Sequence, residues 1–253
     1  MLWSRAVATV EVQTNSSAIP TQKSVVCDAR RPVIVAIFDL DGTLYTGRIT
    51  RGIIRHHRTH RVKRPQLYIY LATHTASLPL WRLGLLSEEF VRDLWARHLG
   101  WTVRGWTRQQ AATAFAWIAE HYVKPLVRPD VLGRVRSHQA AGHRTILVSG
   151  TPAPLLAEIG QTLGIDETVG TPLTLLAGRY TGACELPVCQ GSGKVFRLKA
   201  HIGDDPIVWP ESYVYADSHT DLVLLSLAGF PVAVYPDAKL ASYARSQGWE
   251  VLG

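Results

Sequence analysis

The sequence predicts an α/β protein: a parallel sheet with helices on both faces, interrupted by an inserted α-helical cap. Three observations carry that expectation. Short apolar runs recur through the chain and end in turn residues. Helical patterns stand between them, the order that builds a parallel sheet. One long stretch, residues 47–130, breaks the alternation with helical pattern alone.

The first run, residues 32–40, places Val33, Ile34, Val35, Ala36, Ile37 and Phe38 in succession, as a strand covered on both faces requires. The second, RTILVSGTP at 144–152, closes in a small-residue turn, with Thr151 as a helix cap and Pro152 in the first helical position. The third is ESYVYADS at 211–218, the fourth FPVAVYP at 230–236, and GWEVL near the end reads as a fifth. Residues 153–163 carry Leu155, Leu156, Ile159 and Leu163 at helical spacing, and residues 194–202 carry Val195, Leu198 and Ile202. Residues 221–228 and 237–247 complete the helical set. Inside the interruption, helices are expected over 87–99, opened by Ser87, and over 107–122, opened by Thr107. Trp81, Trp95, Trp101, Trp106 and Trp117 all fall in this stretch. Residues 169–184 read as a hairpin turning at Ala177-Gly178. The architecture is thus Rossmann-like, with a poorly ordered tail over 1–31, a core made of 32–46 and 131–253, and a helical cap over 47–130.

A chain of 253 residues with 47% hydrophobic composition is long enough for one core with an insertion. Its three cysteines, Cys27, Cys184 and Cys189, form no C-x-x-C pair, which argues against a disulfide framework and structural zinc and for a reducing, cytoplasmic setting. The apolar stretch Ala6–Val10 is too short for a signal peptide and is closed by Glu11. Residues 67–86 are apolar but contain His74, Pro79 and Arg82, so they read as a buried or interfacial helix pair and not a membrane span. Net charge is +7, and it is concentrated. Between Thr46 and Ser87 there is no Asp or Glu, while Arg48, Arg51, Arg55, Arg58, Arg61, Lys63, Arg64 and Arg82 all lie there. Such a block is either a solvated helix face or an attractor for anions: a phosphate substrate, anionic lipid or nucleic acid. No nucleic-acid-reading motif accompanies it, and aromatics are not interleaved with the basic run at 48–64, so no specific nucleic acid is expected.

Four polar clusters stand at strand or loop ends, where ligands gather in parallel sheets. Asp39-Leu40-Asp41-Gly42-Thr43 ends the first run; its two carboxylates can both face the space above the sheet, one to attack phosphorus and one to move protons. Ser149-Gly150-Thr151-Pro152 offers a hydroxyl and backbone N–H groups to an anion. GSGKVFRLK at 191–199 opens a helix with Lys194 after two glycines; it is not a P-loop, since Val188 and Val195 stand where Gly and Ser/Thr are needed. Asp217-Ser218-His219-Thr220-Asp221 supplies further hard oxygen donors suited to Mg2+. Each alone is explained by capping or a solvated charge. Four in this order are not.

These motifs, DLDGT at 39–43, VSGT at 148–151, GSGK at 191–194 and ADSHTD at 216–221, resemble those of the haloacid dehalogenase superfamily, and more narrowly its phosphoserine-phosphatase-like subfamily IB. The resemblance covers residues 33–252 and implies a Mg2+-dependent phosphomonoester hydrolase acting on a small phosphorylated substrate. It implies Asp39 as nucleophile forming an aspartyl-phosphate and Asp41 as proton donor and acceptor. It implies Mg2+ held by the Asp39 carboxylate, the Asp41 carbonyl and Asp217, with Asp221 supporting. Ser149, Gly150 and Lys194 would hold the phosphoryl oxygens. The chain departs from the pattern in two places: no acid lies between Asp41 and Glu88 to meet a substrate amine, and the Met-Gly-Phe cap signature is missing. A basic, Trp-rich cap suits a multiply anionic or apolar-bodied phosphate better than phosphoserine. His56, His57 and His60 read as surface histidines on a basic helix more readily than as a metal site. The alternative function is a binding module whose basic cap docks on anionic lipid or nucleic acid, with peripheral lipid association also open to the enzyme.

Overall fold

The computed structural model describes residues 31–253. The tail expected over 1–31, apart from Arg31, and Cys27 lie outside the described residues. In chain order the elements are β1 (Val35–Asp39), α1 (Ile49–Thr59), α2 (Arg64–Thr75), α3 (Ser77–Arg82), α4 (Glu88–His98) and α5 (Arg108–Ile118). They continue with α6 (Pro129–Ala140), β2 (Arg144–Pro152), α7 (Ala153–Leu163), β3 (Glu167–Thr171), β4 (Leu173–Leu176) and β5 (Arg179–Cys184). The chain closes with α8 (Ser192–Ile202), β6 (Tyr213–Ala216), α9 (Leu222–Leu225), β7 (Phe230–Val234), α10 (Ala238–Gln247) and β8 (Glu250–Leu252).

Six strands form one sheet in the order β3-β2-β1-β6-β7-β8, every pair parallel. The order runs outward in both directions from the β1–β6 boundary, so that boundary is the topological switch point of a doubly wound sheet. Alternation along β1 divides the core. Ala36 and Phe38 join the apolar cluster that includes α5 and α7, while Val35 and Ile37 join the cluster under α8, α9 and α10. Phe38 stacks on Tyr215 of β6 with ring centroids 4.5 Å apart, tying the two switch-point strands together.

The helices α1 to α5 lie between β1 and β2. The chain leaves and returns through one neck, where Thr46 N donates to Leu126 O at 3.0 Å and Arg128 N to Leu44 O at 2.9 Å. The helix pair expected over 67–86 is α2 and α3, joined at Ala76, and no helix among the described residues is long and apolar enough to cross a membrane. The helix expected over 107–122 is regular to Ile118 and then widens into a π turn over Ala119–Val123.

Two expectations are corrected. Residues 167–171 are not part of a hairpin; they form β3, an edge strand parallel to β2, short and polar at its start because only one of its sides pairs. The hairpin itself is β4–β5, turning at Ala177 (φ 47°) and Gly178 (φ 74°), both left-handed as a tight hairpin turn needs. Tyr180 N donates to Trp106 O at 2.9 Å and Gly105 N to Tyr180 O at 2.7 Å, so the hairpin braces the helical insertion. Thr151 does not cap α7 either: Pro152 is the N-cap, and the Thr151 hydroxyl turns to Ser149 Oγ, 3.0 Å away.

Candidate active site

The sheet delivers its polar residues to one end. β1 terminates at Asp39, and Asp217 follows directly after β6, so the two acids flank the switch point. Gly42 makes this approach geometrically feasible. Its φ of +91° is left-handed, and a Cβ there would lie 2.1 Å from Asp217 Oδ2. Every residue expected at the site, Asp39, Asp41, Ser149, Gly150, Lys194, Asp217 and Asp221, lines a single cavity of about 320 Å3.

Lys194 holds the centre. It stands in the first turn of α8, is 2% exposed, and its Nζ donates to Asp39 Oδ1 at 2.6 Å and to Asp221 at 2.9 Å. Burial alone works against its charge, but Asp221 and Asp39 overcome that and push its pKa above the usual lysine value. The other Asp39 oxygen accepts from Thr43 Oγ1 at 3.1 Å. Asp41 is held by a different set: Tyr45 OH donates to Oδ1 at 2.6 Å, and the Ile49 N–H at the start of α1 lies 3.0 and 3.2 Å from its two oxygens. Burial raises the Asp41 carboxyl to about 6, with the Tyr45 hydrogen bond opposing. Burial and the Asp39 charge push Asp217 up to about 7, and burial raises Asp221 against the pull of Lys194.

The crowding of acids makes a candidate cation site. Asp39, Asp217 and Asp221 each offer a carboxylate oxygen within 4.8 Å of the others, and this is the one such cluster of metal-ligating side chains among the described residues. Both Asp221 oxygens face the Lys194 ammonium, with Oδ1 2.9 Å from Nζ. A set of three carboxylates converging within 4.8 Å, all oxygen donors, fits a hard divalent ion such as Mg2+.

The wall opposite comes from the helical insertion: Leu78, Trp81, Val91, Trp95 and Leu99, with Arg48 and Arg92 at its edges. Several lining residues carry no signal of their own in the sequence. Arg48 stands there only as the first member of a basic run, and Tyr45, which does not line the cavity but holds Asp41, carries no signal either. Gln190 lies beside Gly150, where a Cβ would come within 2.6 Å of its Oε1. The histidines belong elsewhere, and the surface reading fails for two of them. His56 and His57 are buried against Trp117 and Trp106, with ring centroids 5.3 Å apart in each case, and only His60 is exposed.

The comparisons agree with this geometry. A family model described as haloacid dehalogenase-like hydrolase matches residues 36–226. A histidinol-phosphatase of Neisseria meningitidis is 34% identical over 151 residues, 58% of this chain and 68% of that one. A phosphoserine phosphatase of Mycobacterium tuberculosis is 28% identical over 223 residues, 85% of this chain and 69% of its own. Among solved structures, a Bordetella pertussis protein of unknown function superposes with a TM-score of 0.73 at 23% identity, covering 88% of this chain and 99% of that one. A substrate-bound phosphoserine phosphatase superposes with a TM-score of 0.58 at 16% identity, covering 88% and 93%. The chain belongs to the haloacid dehalogenase-like hydrolase family, as an enzyme of the phosphatase class.

Proposed function

We propose that this member of the haloacid dehalogenase-like hydrolase family is a Mg2+-dependent phosphomonoesterase that works through an aspartyl-phosphate on Asp39. The observation that carries the reading is the Lys194 ammonium, buried and bonded to Asp39 at 2.6 Å, which fixes a positive charge against the carboxylate that would attack phosphorus. In the first step an Asp39 oxygen attacks phosphorus, the ester P–O bond breaks, and the Asp41 carboxyl gives its proton to the departing alkoxide. In the second, water attacks the same phosphorus, Asp41 takes the proton, and the Asp39–phosphorus bond breaks to release phosphate. An acid held near 6 suits both directions of transfer at neutral pH. The Ser149 hydroxyl, the Gly150 N–H and Lys194 orient the phosphoryl oxygens, and Asp221 holds Lys194 in place. Asp39, Asp217 and the Asp41 carbonyl would bind Mg2+, which supplies charge neutralisation for the transferring phosphoryl group.

Among the described side chains, the acids of the cavity are Asp39, Asp41, Asp217 and Asp221, all in the catalytic cluster, and the insertion contributes mainly apolar residues with Thr50, Arg48 and Arg92. Among these described side chains of the insertion a substrate ammonium meets no counterion. The preferred ester has an apolar or aromatic body, not the zwitterionic one of phosphoserine. The test is phosphate release from an aryl phosphate, histidinol phosphate, phosphoserine and a lysophosphatidate, with and without chelator, beside Asp39→Asn. Release is expected to vanish in Asp39→Asn and in chelator. A variant that keeps its rate removes Asp39 as nucleophile, and phosphoserine as best substrate removes the reading of the cavity wall.

A further inference from the structure

The insertion carries an exposed apolar face of which only Trp81 also lines the catalytic cavity. Tyr68 and Ile69 on α2, Leu80 and Trp81 on α3, and Leu83 and Leu85 after it are all exposed, the last two at 74% and 69%. They are held in a compact shape: Leu83 N donates to Pro79 O at 3.0 Å, Gly84 N to Trp81 O at 2.9 Å and Leu85 N to Leu80 O at 2.9 Å. A rigid apolar knob of this size is unusual on a protein surrounded only by water. Its flanks are cationic. Arg64 Nη2 donates to the Tyr68 hydroxyl at 3.4 Å, and that hydroxyl is acidified by Arg64 and also by Arg58. Arg82 lies within the knob, and no acid occurs from Thr46 to Ser87.

We propose that this α2–α3 face docks on an anionic bilayer surface, the leucines and Trp81 entering the interface while Arg58, Arg64 and Arg82 meet lipid phosphates. The chemistry excludes the other occupants. A second copy would set like charges against each other across a two-fold axis. Nucleic acid is met by aromatic platforms and hydrogen-bonding side chains, whereas the two most exposed residues of this patch are Leu83 and Leu85. Apolar side chains rimmed by arginine are the two signals that together hold a protein on anionic lipid, and with no helix among the described residues able to cross the bilayer the protein lies on it. Trp81 also lines the catalytic cavity, so its mouth borders the docked face. The proposal does not rest on the phosphatase reading.

The test is co-sedimentation of the full chain with vesicles of phosphatidylcholine alone and of phosphatidylcholine with phosphatidylglycerol, at low and high salt. Wild type and Asp39→Asn are both expected to bind the mixed vesicles at least about tenfold more tightly than the neutral ones, and less so at high salt. Leu83→Glu Leu85→Glu is expected to lose at least about tenfold in that binding while keeping aryl phosphate hydrolysis and an unchanged mass by size exclusion. Arg58→Glu Arg64→Glu provides a second arm that leaves the knob intact. Binding that ignores phosphatidylglycerol, or that survives both double variants, overturns the proposal. So does a change of oligomeric mass in the leucine variant, or transfer of the same loss to a DNA oligonucleotide. Wild type that sediments but hydrolyses no ester defeats the enzyme reading and leaves the docking surface standing.

Discussion

Replacing Lys194 by Met removes one charge from the tightest polar cluster of the fold. Its Nζ lies 2.6 Å from Asp39 and 2.9 Å from Asp221, and the carboxylate oxygens of Asp39, Asp217 and Asp221 lie within 4.8 Å of each other. At that separation, two unit charges in an effective dielectric of 20 repel by about 3.5 kcal/mol. Methionine has nearly the volume of lysine, so the loss is electrostatic and not a cavity. The expected cost in chelator at pH 7.5 is about 3–5 kcal/mol, the usual result of stranding a buried charge. Urea unfolding followed by tryptophan fluorescence measures it. The cycle with Asp221→Asn gives the cause, because the double variant no longer strands that carboxylate. A coupling of about 1–3 kcal/mol is expected, and catalysis falls by at least about 100-fold in Lys194→Met. A single variant destabilised by less than 1 kcal/mol, or a strictly additive double variant, would show that Lys194 does not compensate these acids.

Gly42→Ala forces a Cβ to 2.1 Å from Asp217 Oδ2 at a φ of +91°. Stability should drop by about 1–3 kcal/mol and activity by at least about 100-fold, whereas a variant with wild-type kcat would show that Asp217 can move freely. His138 is buried, with Nε2 2.9 Å from Tyr215 OH and Nδ1 2.9 Å from His143, and burial lowers it from 6.5 to about 4. The unfolded chain then binds a proton between about pH 6.5 and 4 that the folded chain refuses, so this contribution is complete above 6.5 and is lost on acidification. The advantage of wild type over His138→Gln in urea should narrow by about 2 kcal/mol from pH 8 to pH 5; a constant or widening difference refutes it.

What the sequence discloses here follows from how local each determinant is. Asp39 and Asp41 are legible because a strand end and a two-residue spacing fix both at once. Lys194 is legible only through its glycines, since its partner Asp39 lies 155 positions away and the sheet alone brings them together. β3 is not legible: ETVGT has neither an apolar run nor clean alternation, and it is a strand because β2 pairs with it. Tyr45 and the Ile49 N–H acquire meaning only when the neck at Leu44–Thr46 turns the chain back over Asp41. The histidines mislead for a related reason. On α1 the arginines 51, 55 and 58 take the outward face, which forces His56 and His57 inward onto tryptophans that sequence spacing cannot bring near.

On the proposed phosphomonoesterase reading, the charges of the cavity couple the binding of cation and substrate. Its lining holds four carboxylates, Asp39, Asp41, Asp217 and Asp221, and three cations, Arg48, Arg92 and Lys194. In the proposed mechanism Asp41 begins protonated. A phosphomonoester dianion entering alone would add two negative charges in a confined space, and a divalent cation entering alone would add two positive ones. Together they add no net charge, so each strengthens the binding of the other, and the coupling is reciprocal by linkage. The same balance explains the division of the cavity walls. Charge is neutralised at the strand ends, where Asp39 and Asp217 flank the switch point. The described lining residues of the insertion include no acid and are mainly apolar, which on the proposed reading lets them bind the body of the ester without disturbing that balance.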